Sequence, residues 1–464
     1  MADQPKPSRK KTRGGAKVRA RKARAAGRTV AKQGRKAEGL PSEPLTLQVE
    51  RVAHGGAAVG RAPDGRTVFV RGAIPGETVR ARVTADHKKF MWADTDEVLE
   101  ASEHRIPHVW PDPPEIGSAA ADLGHVDPYR QLAWKSEVLA DQMRRIGGED
   151  VAARIDALYP GGVQVQPVSD SPSIATRTRI QLIADSEGRL GMKPYRSDQV
   201  VALEEVPVAT AQIQDVARFD PTVLGSRWKG RWGAGDRVQV EAPNRSRPVV
   251  VTASGVYDAE TAVPFEGPSQ WAVCVDGTER EFRVRPGGFW QTHLRGPEVL
   301  ARSVMKAAQV QPGETVMELY SGAGLFSRFL ADAVGPSGLL LTLEGDATAV
   351  EDAGANLIDA VEDDFAVIFE GKVDEESVAE LFTEAKGHVD TVVLDPPRKG
   401  AGFDVVRAIA KTDAGRVVLV SCDPVAAARD IRDLVSCGFR LESIEAWDLF
   451  PGTHHFETVA ELVR

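Results

Sequence analysis

Residues 314–324 read ETVMELYSGAG, and 339–344 read LLLTLE, ending at Glu344 twenty residues beyond Gly324. An apolar run that passes through Gly322-Ala323-Gly324 into a helical pattern at Leu325–Val334 predicts a strand, a tight turn and a helix. Glycines at such a turn let the backbone pass close to a nucleotide-like ligand in the crevice outside the strand ends. Glu344, at the end of the next strand, is placed to accept both hydroxyls of a ribose. An ordinary strand-to-helix turn with a surface glutamate is the plainer alternative at this spacing.

Ser327 stands where a dinucleotide fingerprint has its third glycine, so a single-nucleoside cofactor such as S-adenosylmethionine fits better than a pyrophosphate. Around this turn the pattern repeats. GLLLTLEGD, FAVIFEG, DTVVLDPP, RVVLVSCD and RLESIEAWDLF alternate with amphipathic helical stretches. Strands spaced by helices imply βαβ units and a parallel sheet covered on both faces, so residues 286–464 are expected to form an α/β, Rossmann-like domain.

Three further strand ends carry chemistry. Asp395-Pro396-Pro397-Arg398 fixes a carboxylate beside a rigid double proline. Arg398 occupies the place where amino-group methyltransferases have an aromatic for the target base, which disfavours an exocyclic-amine target. Val417–Ser421 leads to Cys422 and then Asp423-Pro424 at a helix start, where the helix dipole is expected to lower the thiol pKa. A buried structural cysteine is the alternative. Between the last two strands, Trp447 to Glu457 (WDLFPGTHHFE) should be a loop returning groups to the cofactor end, with Glu457 shielded by Phe456 as a candidate base. Adjacent His454 and His455 invite a metal reading, but no other clustered ligands accompany them, and no metal is expected.

The whole chain has 464 residues, 42 % hydrophobic and 27 % charged, an ordinary globular composition. Its three cysteines, Cys274, Cys422 and Cys437, cannot build a disulfide framework or supply four ligands to a zinc or iron–sulfur site. A reducing, cytoplasmic setting follows, and no apolar run suggests a membrane span. The net charge of −9 hides a split. Residues 1–44 hold fourteen Lys/Arg against three acids and residues 45–90 eight against four, while the remainder is strongly acidic. The first segment reads as a disordered basic tail suited to a nucleic acid, or as a plain solubility tail. Residues 45–103 hold short β-type runs suggesting a small oligonucleotide-binding barrel. Residues 104–285 read as a mixed, β-rich middle domain whose helix at 128–145 can pack with the catalytic domain.

With these residues assembled, the chain resembles the RNA (uracil-C5)-methyltransferases that carry an N-terminal TRAM domain. In the barrel the resemblance rests on 55–60 (GGAAVG), Val68-Phe69-Val70 and Pro75-Gly76-Glu77, and in the middle region on Gln131, Lys135, Arg177, Gly191 and Ser197. In the last domain it rests on Phe289-Trp290-Gln291-Thr292-His293, with His293 where Asn is usual, and on Glu318 to Gly324, with Glu318 replacing Asp. Cys422 and Glu457, the latter two residues after His455, match the family's nucleophile and base. The resemblance implies that the Cys422 thiolate adds to uracil C6 and that C5 takes a methyl from S-adenosylmethionine. Glu457 then removes the C5 proton. It further implies that Gln291, Tyr320, Gly322, Gly324, Glu344 and Asp395 contact the cofactor, that Phe289 stacks on the target base, and that Asp395 or Gln291 holds a polar edge. A structured rRNA or tRNA is the expected partner, and a monomer is the default.

Many relatives hold a four-cysteine iron–sulfur cluster. Here Pro107-His108-Val109-Trp110, Ala119-Ala120-Ala121 and Val206-Pro207 stand where those ligands would be, so no cluster is expected. The substitutions Glu318 and His293 leave open a second reading, a non-catalytic RNA-binding or ribosome-assembly factor with a vestigial catalytic domain. A nicotinamide oxidoreductase would explain neither Cys422 nor Asp395-Pro396-Pro397.

Overall fold

Alternation of buried and outward residues dominates the start of the chain. In the computed structural model, which describes residues 43–169, 173–195 and 197–464, this alternation closes a barrel; residues 1–42 of the basic tail lie outside the described residues. Its strands are β1 (Leu45–Val52), β2 (Ala57–Arg61), β3 (Thr67–Arg71), β4 (Thr78–Asp86) and β5 (Phe90–Glu100), in the order β1-β2-β3-β5-β4. Leu47, Val49, Val68, Val70, Val79, Ala81 and Met91 point inward, each larger side chain contributing roughly 1.5–3 kcal/mol by burial. Buried Glu77 ties the barrel to the next segment: its carboxylate accepts from Arg105 Nε at 2.6 Å and Nη2 at 2.7 Å, and from Ile74 N at 2.8 Å.

Segment 107–126 is knit by His108. Its Nδ1 accepts from Trp110 N at 3.0 Å, and its Nε2 bonds Ala121 O at 3.1 Å. Gly117 and Gly124 close around it; a Cβ at Gly124 would fall 2.7 Å from His108 Cε1.

Helix Pro128–Gln142 starts on an Asp127 cap that accepts from Tyr129 N and Arg130 N, with proline in the first turn. One side of it, Trp134 and Val138, packs into the barrel core, and Leu139 enters the core of the last domain. Strand β6 (Val165–Pro167) then pairs with that last domain's sheet. A six-stranded sheet follows, from β7 (Arg179–Ala184), β8 (Leu190–Met192), β9 (Val201–Ala202), β10 (Arg237–Glu241), β11 (Val249–Thr252) and β12 (Gly255–Asp258). The hairpin β13 (Ser269–Val275) and β14 (Thr278–Val284) packs Trp271, Val273 and Phe282 against helices Gly296–Ala308 and Leu325–Val334.

The remaining strands are β15 (Thr315–Leu319), β16 (Leu339–Glu344), β17 (Ala366–Glu370), β18 (Thr391–Leu394), β19 (Arg416–Ser421), β20 (Arg440–Asp448) and β21 (Glu457–Val463). Their sheet runs β17-β16-β15-β18-β19-β21-β20-β6. Strands β15 to β19 are parallel, near-continuously apolar and buried on both faces, as a doubly covered sheet requires. Only β21 is antiparallel to its neighbours, so its first residue arrives at the same edge as the last residues of β15, β18 and β19.

Candidate active site

The turn after β15 is built for close approach. Tyr320 has φ +63° at the strand end, and Gly322 and Gly324 have φ +55° and +88°, so the chain reverses in left-handed conformations that glycine adopts without cost. A Cβ on Gly322 would meet no atom within 4 Å, which leaves open space above the loop. Glu344 holds the loop: Oε2 accepts from Gly322 N at 2.9 Å and Oε1 from Asp346 N at 2.8 Å. Each oxygen keeps a lone pair for a ligand hydroxyl.

Beneath the loop lies Glu318, 1 % exposed, with neither carboxyl oxygen making a hydrogen bond of good geometry. Burial pushes it up to about 8; the neighbouring Ser327 hydroxyl offsets only part of that, and Asp395 and Glu344 add to it. Buried polar groups are rarely orphaned without a functional reason. An acid-lined crevice with an open glycine turn fits a cofactor that brings a nucleoside ribose and a positive charge.

Cys422 and Glu457 face each other. Ser421 and Thr458 are register partners of β19 and β21, with Thr458 Oγ1 donating to Ser421 O at 3.2 Å, so the next residue on each strand is Cys422 or Glu457. Asp395 follows β18, with its N–H reaching Leu319 O at 3.3 Å. The sequence-based expectation for the thiol needs correction. Burial pushes Cys422 up to about 12, and Glu457, Asp395 and Asp423 raise it further, with Arg398 opposing. The helix N-terminus that should have helped is already capped: Asp423 Oδ1 accepts from Val425 N at 3.0 Å and Ala426 N at 2.9 Å. Burial also pushes Asp395 up to about 7, and raises Glu457 well above the carboxylate range, with Asp395 adding and Arg398 opposing. Burial thus favours the neutral form of both the thiol and the Glu457 carboxyl, and Arg398 opposes it in each.

Arg398, which the sequence pattern used only to exclude a target class, is thus the cation common to both reactive groups. Its Nη2 donates to His455 Nε2 at 3.2 Å. His455 accepts because burial, then His454 and Arg398, push it down to about 3. His454 is held by Asp122, Nδ1 to Oδ2 at 2.6 Å. Among the described residues no three His, Cys, Asp or Glu side chains are grouped to hold a metal ion. The loop is pinned from helix Pro128–Gln142: buried Lys135 donates to Asp448 Oδ1 at 2.6 Å and Phe450 O at 3.2 Å, and Gln131 Oε1 accepts from Gly452 N at 2.8 Å.

Phe289, 65 % exposed, and half-buried Gln291 lie on the segment between β14 and helix Gly296–Ala308. His293 does locally what an asparagine could do: its Nδ1 accepts from Arg295 N at 3.0 Å at the entry to that helix. Among the described residues no hydrogen bond joins Phe289 or Gln291 to Cys422. Among the described residues no helix is long and apolar enough to cross a membrane, and all three cysteines are unpaired.

Residues 43–94 match the TRAM domain family, and residues 272–464 match the tRNA (uracil-5-)-methyltransferase family. An uncharacterized RNA methyltransferase of Bifidobacterium longum is 34 % identical over 446 residues, covering 90 % of this chain and 96 % of that protein. The 23S rRNA (uracil(1939)-C(5))-methyltransferase RlmD of Shewanella amazonensis is 29 % identical over 454 residues, covering 91 % and 97 %. In fold, the chain is similar to the Pyrococcus abyssi tRNA (uracil-54, C5)-methyltransferase solved with S-adenosyl-L-homocysteine, with TM-score 0.63, 21 % identity and 90 % and 100 % coverage. Fold and site define an S-adenosylmethionine-dependent methyltransferase. The chain belongs to the TRAM-domain RNA (uracil-C5)-methyltransferase family.

Proposed function

We propose that the chain methylates C5 of a uridine in a structured rRNA or tRNA through a covalent adduct between Cys422 and C6. The opposition of Cys422 and Glu457 across β19 and β21, with Arg398 beside both, is the observation that carries this reading. Uracil C5 is a poor nucleophile until a group adds to C6. The base must leave its stack to reach this edge of the sheet, and exposed Phe289 is available to stack on it.

Gln291, Tyr320, Gly322, Gly324, Glu344 and Asp395 would hold S-adenosylmethionine, which supplies an electrophilic methyl on a positively charged sulfur. The thiol first loses its proton to solvent, and Arg398 stabilises the thiolate. Cys422 Sγ bonds to C6, the ring electrons move to an enolate, and C5 takes the methyl. The Glu457 carboxylate removes the remaining C5 proton, and elimination breaks the Sγ–C6 bond and frees the thiolate. A carboxyl whose burial raises its proton affinity is a stronger base for that step. The barrel at 45–103 and the middle region at 104–285 would dock the RNA.

The test is mapping of 5-methyluridine in total RNA from cells with and without the gene, followed by methylation of the identified RNA by the purified chain with labelled donor. One uridine should lose its methyl without the gene and regain it in vitro. Donor binding without any RNA methylation would favour the assembly-factor reading.

A further inference from the structure

The outer face of the barrel carries a row of side chains that the reaction does not use. Inward Val68, Val70, Met91 and Ala93 alternate along the adjacent parallel strands β3 and β5 with outward Phe69, Arg71, Phe90 and Trp92. Phe69 and Trp92 are register partners with rings stacked at 5.0 Å and 28°, and Phe90 meets Phe69 edge-on at 5.8 Å. The Arg71 guanidinium lies over Trp92 at 4.8 Å. It also lies over the ring of Tyr195, in the middle region, at 4.1 Å and donates to its hydroxyl at 3.0 Å. All these rings are half-buried except Tyr195, which is 56 % exposed. The row begins beside Lys88 and Lys89, both exposed and without a carboxylate partner among the described residues.

The direction of the row gives it meaning. Arg71 pairs with Ala57, directly after the turn that holds His54 and Gly56. Gly56 packs on Asp122, and His54 Nε2 lies 3.6 Å from Asp423 Oδ2, next to Cys422. The aromatic row therefore runs from the lysine pair down to the edge of the barrel that abuts the reactive thiol. Flat, half-exposed rings interleaved with cations suit the faces and phosphates of unpaired nucleotides.

Resting on the assignment of the chain as an RNA enzyme, we infer that Phe69, Trp92, Arg71 and Tyr195, with Lys88 and Lys89, form a stacking platform for a single-stranded segment of the substrate that leads to the target uridine. A peptide-binding face is the competing occupant.

The probe is a fluorescein-labelled oligouridylate of about twelve nucleotides, within the span such surfaces track, titrated into the full-length chain. Three variants separate the contributions: Phe69→Ser with Trp92→Ser, Tyr195→Ala, and Lys88→Ala with Lys89→Ala. The aromatic pair should weaken binding about tenfold or more and Tyr195→Ala several-fold, with unchanged salt dependence. The lysine pair should reduce the slope of log affinity against log salt by about 1.4. With structured substrate, KM should rise and kcat hold. Tyr195, Lys88 and Lys89 are exposed, so their variants carry the test even if the aromatic pair disturbs the barrel. Equal affinity of wild type and folded variants for the oligonucleotide would overturn the platform and leave the face to a protein partner. A wild-type chain that binds the oligonucleotide in this variant-sensitive way but methylates no RNA would sink the assigned reaction and leave the platform standing.

Discussion

His54 Nε2 of the barrel stands 3.6 Å from Oδ2 of Asp423, the residue after Cys422, so the barrel touches the helix that starts beside the thiol. The two partners do different work. Asp423→Ala removes the acceptor for Val425 N and Ala426 N and should cost about 1 kcal/mol in denaturant unfolding, whereas Asp423→Asn should cost little. His54→Ala leaves that cap intact and should change stability by less than about 1 kcal/mol. Its effect should appear as a several-fold rise in KM for RNA.

Lys135, fully buried on Asp448, anchors the loop that delivers His455 and Glu457. Lys135→Met leaves a buried carboxylate unpaired and should destabilise the chain by about 3–5 kcal/mol. Adding Asp448→Leu should recover much of that stability but not activity, because the loop has then lost both the Lys135 bond to Phe450 O and the Asp448 acceptor for Phe450 N. Unfolding and methylation assays on the single and double variants check this.

Stability should depend on pH through the acids under the glycine loop. Folded Glu318 keeps its proton up to about 8 against an ordinary 4.5, and Asp395 up to about 7 against 3.8. The unfolded chain loses both protons first, so their contribution is complete below those ordinary values and is lost as pH rises through the folded ones. The unfolding midpoint of the ligand-free chain should fall from roughly pH 5 to pH 8. Glu318→Gln should flatten part of that slope, and a saturating donor, whose positive charge favours the ionised acids, should do the same.

Arg398 lowers both Cys422 and Glu457 toward ionisation. Activity that needs thiolate and carboxylate should rise with pH, and Arg398→Ala should move that rise to higher pH. On the order of tenfold of kcat/KM should be lost at neutral pH, with recovery in alkaline buffer. A pH-independent loss would mean that Arg398 acts on RNA binding instead.

Local signals made the strand-turn-helix units legible. The run into Gly322 and Gly324, the Asp395-Pro396-Pro397 end and Cys422-Asp423-Pro424 each state their own geometry within a few residues. Contacts between distant segments were not legible. Nothing near Val165–Pro167 announces that it adds an eighth strand beside β20, nor does His54 announce Asp423 or Arg398 announce His455. The thiol pKa failed for the same reason: the helix start was visible, but the burial and the facing carboxylates come from β18 and β21.

The central claim is a bond between Cys422 and the RNA, resolved by Glu457. A Glu457→Gln variant mixed with substrate RNA and S-adenosylmethionine, then denatured and measured by intact mass, should accumulate a protein–RNA adduct that carries the transferred methyl. The same variant with Cys422→Ala should form none. An adduct that survives loss of Cys422, or 5-methyluridine produced by Cys422→Ala alone, would contradict the account.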